Sequence, residues 1–220
     1  MKLRFCIHAS VLSTLTTLSV LGVVALGSSP VFASIITSYV GASGPGLGSV
    51  TFGSFATPLP ANDDVAGAST NTIIVTEKVF DTFDGIWLEF DVGDDGIATT
   101  EYQVTETVVN NTGFVWIGYQ VMVGFGSEAG WVHSPIGDDL DFDSPDDNSP
   151  RDFTPFGTLV YGENTIDAVD GVINPGESHT FTYAIDVPNG ISHFSIRTSA
   201  RELVVPVEAR TWGGIKRLFP

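Results

Sequence analysis

The chain has 220 residues, 43% of them hydrophobic, and sets 26 acidic against 9 basic side chains, a formal net charge of −17. That length suffices for one ordinary domain with its own core, and charge of this sign repels phosphate backbones and anionic lipid surfaces, so nucleic acid is excluded as an expected partner. The single cysteine, Cys6, excludes an internal disulfide and a cysteine-based metal site.

The first element is an address. Lys2 and Arg4 precede an apolar run, Leu18 to Leu26, which Pro30 breaks, and Val31-Phe32-Ala33 places small residues where a signal peptidase reads. This predicts a secretory signal over residues 1–33, cleaved after Ala33. Cleavage removes Lys2, Arg4 and Cys6 and no acid, so 187 of the 220 residues remain and the formal charge moves from −17 to −19. The remainder divides into a predicted β domain, 34–200, and a short basic tail, 201–220. Between Ser34 and Ile196 the only Lys or Arg residues are Lys78 and Arg151. Such acidity keeps exported proteins apart in solution; it also leaves divalent cations, basic proteins and neutral glycans open as partners.

Period-2 alternation recurs along the β domain, and no apolar 3.6 spacing predicts a helix there. Ile35–Val40, Val50–Phe55 and Thr72–Phe80 are short strand candidates, separated by a glycine-rich link (Gly41–Gly48) and a loop rich in Pro, Ala, Asn and Asp (Thr57–Thr70). Ile86, Leu88, Phe90 and Val92 alternate with Trp87, Glu89 and Asp91, a half-buried strand with an acidic outer face. Tyr102, Val104 and Val108 alternate with Glu101, Gln103, Thr105 and Thr107. The turn Asn110-Asn111-Thr112-Gly113 follows, then Val115, Ile117, Tyr119, Val121, Val123 and Phe125 on one face of a further strand, with Trp116 as a core candidate. The two runs around that turn read as a β-hairpin. Gly157–Tyr161, the run Phe181–Val187 after Asn174-Pro175-Gly176, the run Phe194–Ile196 after Pro188-Asn189-Gly190, and Leu203–Val207 complete the set. Eight to ten strands with Gly, Pro, Asn and Asp turns predict an all-β fold, an antiparallel β-sandwich of jelly-roll or Ig-like type.

Two inward positions are anomalous. Strict alternation places Glu106 on the face of Val104 and Val108, and Glu77 between Val75 and Val79. A buried carboxylate is a candidate for a raised pKa; a bulge or an edge position explains both more simply.

The segment Ser127–Pro155 exceeds a hairpin loop and holds Asp138, Asp139, Asp141, Asp143, Asp146, Asp147 and Asp152. In extended chain, Asp139, Asp141 and Asp143 point the same way. Carboxylate oxygens converging on a loop suit Ca²⁺, with Asp139, Asp141, Asp143, Asp146 and Asp147 as candidate ligands and Asn164, Asp167 and Asp170 as a second acidic loop able to add more. An EF-hand is excluded, because the sixth position is Ser144 and the twelfth Pro150. The alternative is a solvated acidic loop with Leu140 and Phe142 tucked against the sandwich. Trp87 and Trp131 are candidate sugar-stacking residues or packing residues.

Catalytic patterns are lacking. His133, His179 and His193 have no HxH or HExxH neighbour, and there is no Gly-x-Ser-x-Gly elbow or phosphate-binding glycine loop. Glycoside hydrolysis needs two facing carboxylates, and nothing selects a pair. No catalytic residue is expected.

Four segments together carry a resemblance: VTETVVNNTGFVW (Val104–Trp116), NPGESHTFTYAIDVP (Asn174–Pro188), HFSIRT (His193–Thr198) and VVPV (Val204–Val207). They resemble the exported β-sandwich ectodomains of bacterial proteins with a PEP-CTERM sorting tail, over roughly residues 100 to 200. The resemblance implies a surface or matrix protein without assigned activity. The tail departs from it: Pro206-Val207-Glu208 and the basic Lys216-Arg217 are present, but only Ala209–Ile215 lie between, whereas a membrane helix needs about 20 apolar residues. The expectation is a non-enzymatic exported surface or extracellular-matrix protein with no membrane anchor in the mature chain, with extracellular polysaccharide or other surface proteins as candidate partners. The alternatives are a Ca²⁺-dependent glycan-binding module using the 138–147 loop and, third, a secreted glycosidase.

Overall fold

The computed structural model describes residues 34–63, 67–93, 98–142 and 151–202. They form eleven strands: β1 (Ile35–Ser43), β2 (Leu47–Ala56), β3 (Thr72–Phe80), β4 (Ile86–Gly93), β5 (Thr100–Asn110), β6 (Trp116–Phe125), β7 (Val132–His133), β8 (Thr158–Gly162), β9 (Thr165–Ile173), β10 (Ser178–Val187) and β11 (His193–Glu202). One 3₁₀ turn, Glu128–Gly130, is the only helical element among the described residues. The strands make two sheets. One runs β1-β4-β11-β6-β9-β8, with β7 also paired to β6; the other runs β10-β5-β3-β2. All pairs are antiparallel except β3 with β5, which is parallel. The predicted β-sandwich is therefore present. The candidate strand Leu203–Val207 and the signal segment lie outside the described residues.

The core lies between the sheets and follows the alternation. Ile86, Leu88 and Phe90 of β4, Tyr102, Val104 and Val108 of β5, and Phe181, Tyr183, Ile185 and Val187 of β10 are all buried. On one flank Tyr39 of the edge strand β1 stacks on Phe52 of the edge strand β2, centroids 4.1 Å apart and planes within 9°, bridging the two sheets. Between them Gly44 turns the chain at φ 120°; a Cβ there would lie 2.3 Å from the Gly85 carbonyl oxygen and 2.6 Å from the Trp87 ring, so only glycine fits.

The predicted hairpin at Asn110–Gly113 is corrected. β5 and β6 belong to different sheets, and the turn arches between them. Both edges of β5 are occupied, by β10 and by β3, leaving none for β6. The Asn110 amide fixes the arch by donating to the Phe114 and Ile173 carbonyls at 2.8 and 3.0 Å. The chain likewise changes sheets between β10 and β11.

Two bulges shift the phase of the alternation. In β3 the inward residues are Ile73, Val75, Lys78 and Phe80, because the register slips between Val75 and Lys78. In β6 the register slips between Trp116 and Gly118, so Trp116 and Tyr119 are both inward and their rings stack at 6.2 Å. An extra residue in a strand reverses the facing of everything after it. The bulge explanation therefore holds for Glu77, which is exposed. It fails for Glu106, which lies in a central strand, obeys strict alternation and is fully buried.

The segment 127–155 is described over 127–142 and 151–155. Leu140, Phe142 and Phe153 are core residues. Its main chain pairs with the free edge of β10: Asp186 N–H donates to Asp141 O at 3.0 Å, and Asp152 and Thr182 exchange two bonds at 2.9 Å. Covering an edge in this way blocks strand addition there. Residues 164–170, read from sequence as an acidic loop, are instead the turn before β9 and the greater part of that strand. Asp167, Asp170 and Gly171 depress its β propensity, yet Ile166, Ala168 and Ile173 are buried.

Candidate functional site

Charge is concentrated in two places. The first is the acidic rim formed by residues 134–142 and the β8–β9 turn. Leu140 and Phe142 are buried in the core and Asp141 between them is half-buried, but the chain bends at 138–139, so the extended backbone that the period-2 argument assumes is not present there. Asp139 is exposed, with φ 61°. Asp138 is held by Ser134, whose hydroxyl lies 2.9 and 2.8 Å from its two oxygens, and it accepts the Leu140 N–H at 3.2 Å. The β8–β9 turn does fold against this segment, through Glu163: its carboxylate accepts the Gly137 N–H, and its carbonyl accepts Phe142 N–H at 2.8 Å. Asn164, buried, donates to the Ser134 carbonyl.

The rest of that supposed second loop goes elsewhere. Asp167 sits on β9 and binds Arg201 at 2.5 Å and Gln120 at 2.8 Å. It adds nothing to the rim.

Asp141 feels the rim most. Partial burial, then the charges of Glu163, Asp139, Asp138 and Asp63, push its carboxyl from an ordinary 3.8 up to about 7. Its backbone partner Asp186 stands opposite Glu101 across the β10–β5 ladder, and both of these carboxylates are buried. Three acids thus occupy successive ladder positions. Among the described residues, no group of three or more His, Cys, Asp or Glu side chains is arranged to hold a metal. Asp143, Asp146 and Asp147 lie outside the described residues.

The second place is the interior. Lys78 Nζ donates to Glu106 Oε2, and the Tyr119 hydroxyl donates to Glu106 Oε1 at 2.8 Å. All three side chains are fully buried. Lys78 Nζ lies 5.8 Å from the ring centroids of both Phe80 and Tyr119. Phe181 packs on Tyr119 at 4.8 Å, and the Tyr183 hydroxyl is buried nearby without a hydrogen-bond partner among the described residues. Burial pushes the Lys78 ammonium below its ordinary range, against the opposing pull of the Glu106 charge. Burial, followed by the Glu106 and Tyr183 charges, pushes the Tyr119 hydroxyl well above its own. Each part has a structural origin. Alternation brings Glu106 inward in β5 and Tyr119 inward with Val121 and Val123 in β6, and the β3 bulge brings Lys78 inward in place of Glu77.

Sequence reasoning singled out Glu106 and missed Lys78. The available signal was compositional: Lys78 is the only Lys or Arg between Ser34 and Asp147, and an inward acid in a central strand that keeps its charge needs an inward cation.

The two tryptophans read as either sugar-stacking or packing residues both lie against a cation. Arg197 lies 5.4 Å from the Trp87 ring and 5.6 Å from the Trp131 ring, and Trp87 is buried. Trp116 is core, as expected.

No family model matches the chain, and neither a curated protein nor a solved structure matches it.

Proposed function

We propose that this chain is a non-enzymatic, exported β-sandwich that serves as a structural component of a cell surface or extracellular matrix. The observation that supports this reading is where the reactive groups lie. Lys78, Glu106 and Tyr119, a hydrogen-bonded set of ionisable side chains, are sealed between the sheets at 0% exposure, where they can stabilise the fold but cannot meet an external substrate. The leader-like segment 1–33, the acidity and the resemblance to PEP-CTERM ectodomains point the same way. Expression with the native N-terminus, followed by fractionation and N-terminal sequencing, tests it. The expected product begins at Ser34 and lies outside the cytoplasm; a cytoplasmic product beginning at Met1 would overturn the reading.

A second reading is a Ca²⁺-dependent glycan-binding module at the acidic rim. It is favoured by the crowding of Glu163, Asp139, Asp138 and Asp63 around Asp141, whose carboxyl is pushed upward by burial and then by their charges, a repulsion that a divalent cation would relieve. Calorimetric titration decides it: neither heat nor a change in melting temperature at about millimolar Ca²⁺ removes this reading.

A further inference from the structure

The Lys78–Glu106 contact has the components of a condensation reaction. An amine and a carboxyl are held against each other in a water-free interior, by two neighbouring parallel strands that no hairpin joins. The carboxyl's other oxygen accepts a hydrogen bond from a buried phenol, Tyr119, at 2.8 Å. We propose that Lys78 and Glu106 condense within the folded sandwich to a side-chain amide, an isopeptide bond that cross-links β3 to β5.

The step balances within the chain. The ammonium of Lys78 first passes a proton across the existing hydrogen bond to Glu106 Oε2, leaving a neutral amine and a neutral acid. Neither ion is hydrated there, which lowers the cost of reaching that neutral pair, and the aromatic rings of Phe80, Phe181 and Tyr119 supply the apolar surroundings. Nζ then attacks Cδ. Negative charge develops on Oε1, which already accepts the Tyr119 hydroxyl, so a donor is in place for the oxyanion. Nζ gives a second proton to the Oε2 hydroxyl, the Cδ–Oε2 bond breaks, and water leaves. Nothing is oxidised or reduced. Fixing the two groups side by side replaces a bimolecular encounter, an advantage equivalent to about 10⁵–10⁸ M when orientation is good. The product removes two buried charges at once, whereas the ion pair must bear the desolvation of both.

The bond also fits the composition. The sole cysteine is Cys6, so a chain cleaved after Ala33 would have no means of forming a disulfide. An amide between residues 78 and 106 would close a loop in the unfolded chain as a disulfide does. It would survive reducing conditions.

Intact-mass measurement on the exported, folded protein tests this directly. The expected mass is that of the exported chain from its sequenced N-terminus less one molecule of water, and proteolysis should release a branched peptide joining Lys78 to Glu106. Lys78→Met should restore the full mass. Glu106→Gln offers a leaving amide and should lose ammonia instead of water. Tyr119→Phe should slow the mass loss during refolding at least tenfold, without preventing folding. A folded wild-type protein at full mass after prolonged incubation overturns the proposal. So does a water loss that persists in Lys78→Met, or one that maps to another site. Because the wild-type mass alone decides the first outcome, the test stands even if a variant fails to fold.

Discussion

The interior cluster and the acidic rim gather charge in opposite ways. Inside, Glu106 meets one cation, delivered by the β3 bulge, and one phenol from the facing sheet. At the rim, Asp138, Asp139, Asp141 and Glu163 meet one another, and the support they receive comes from Ser134 and from main-chain N–H groups. The interior tolerates a carboxylate because the opposite charge is fixed beside it. The rim tolerates several because solvent reaches most of them, and because Asp141, which is partly withdrawn from solvent, holds its proton to higher pH. Burial without a cation is resolved by protonation, and burial with one is resolved by pairing.

The largest test of that contrast is to break the pair. Glu106→Ala strands Lys78 in the core and should lower the unfolding free energy by about 3–5 kcal/mol. The double variant Lys78→Met, Glu106→Leu removes both charges and should be more stable than Glu106→Ala alone. Denaturant melts of the two variants read this, and a double variant no more stable than the single one would count against a charge-pairing role.

At the rim the anchoring is apolar. Leu140 is fully buried, so Leu140→Ala should cost about 2–5 kcal/mol although the residue lies between two aspartates. A cost under about 1 kcal/mol would mean that the segment is not part of the core.

The rim's electrostatics should appear in pH dependence. The folded-state pKa of Asp141 is raised, from 3.8 to about 7. Between those values the folded state binds the proton more tightly than the unfolded chain does. The contribution of Asp141 to stability is therefore complete below about pH 4 and is lost as pH rises through about 7. Asp141→Asn should flatten the melting temperature across that window and melt higher than wild type above it. A pH profile unchanged by the substitution would contradict the assignment.

The smallest effect belongs to a pair that is neither sealed nor like-charged. Arg201 and Asp167 are in contact at 2.5 Å with side chains 45% and 26% exposed. Arg201→Ala should cost about 0.2–1 kcal/mol, diminishing with added salt. A loss near that of Glu106→Ala would erase the distinction between buried and exposed pairs.

Much of the fold was legible because half-buried strands write their facing into the sequence. The alternation through Ile86–Val92 and Phe181–Val187 locates core residues correctly, and Leu140 and Phe142 pack inward as their spacing suggests. What escaped did so for identifiable reasons. β9 carries Asp, Ala and Gly at strand positions, and its place is set by pairing with β6 and β8. The arch at Asn110–Gly113 has the turn chemistry of a hairpin, but turn residues do not say which sheet the chain enters next. Lys78 was hidden by a bulge, which reverses facing without any required residue type.

Alternation and composition are local properties of the chain, and they suffice for an acidic all-β sandwich; they also set Glu106 on an inward phase, but with a bulge or an edge position as the simpler account. Only the tertiary structure decided that Glu106 stays inside. Lys78 and Tyr119 come from different sheets, and the register slip that turns Lys78 inward exists only once β3 pairs with its neighbours.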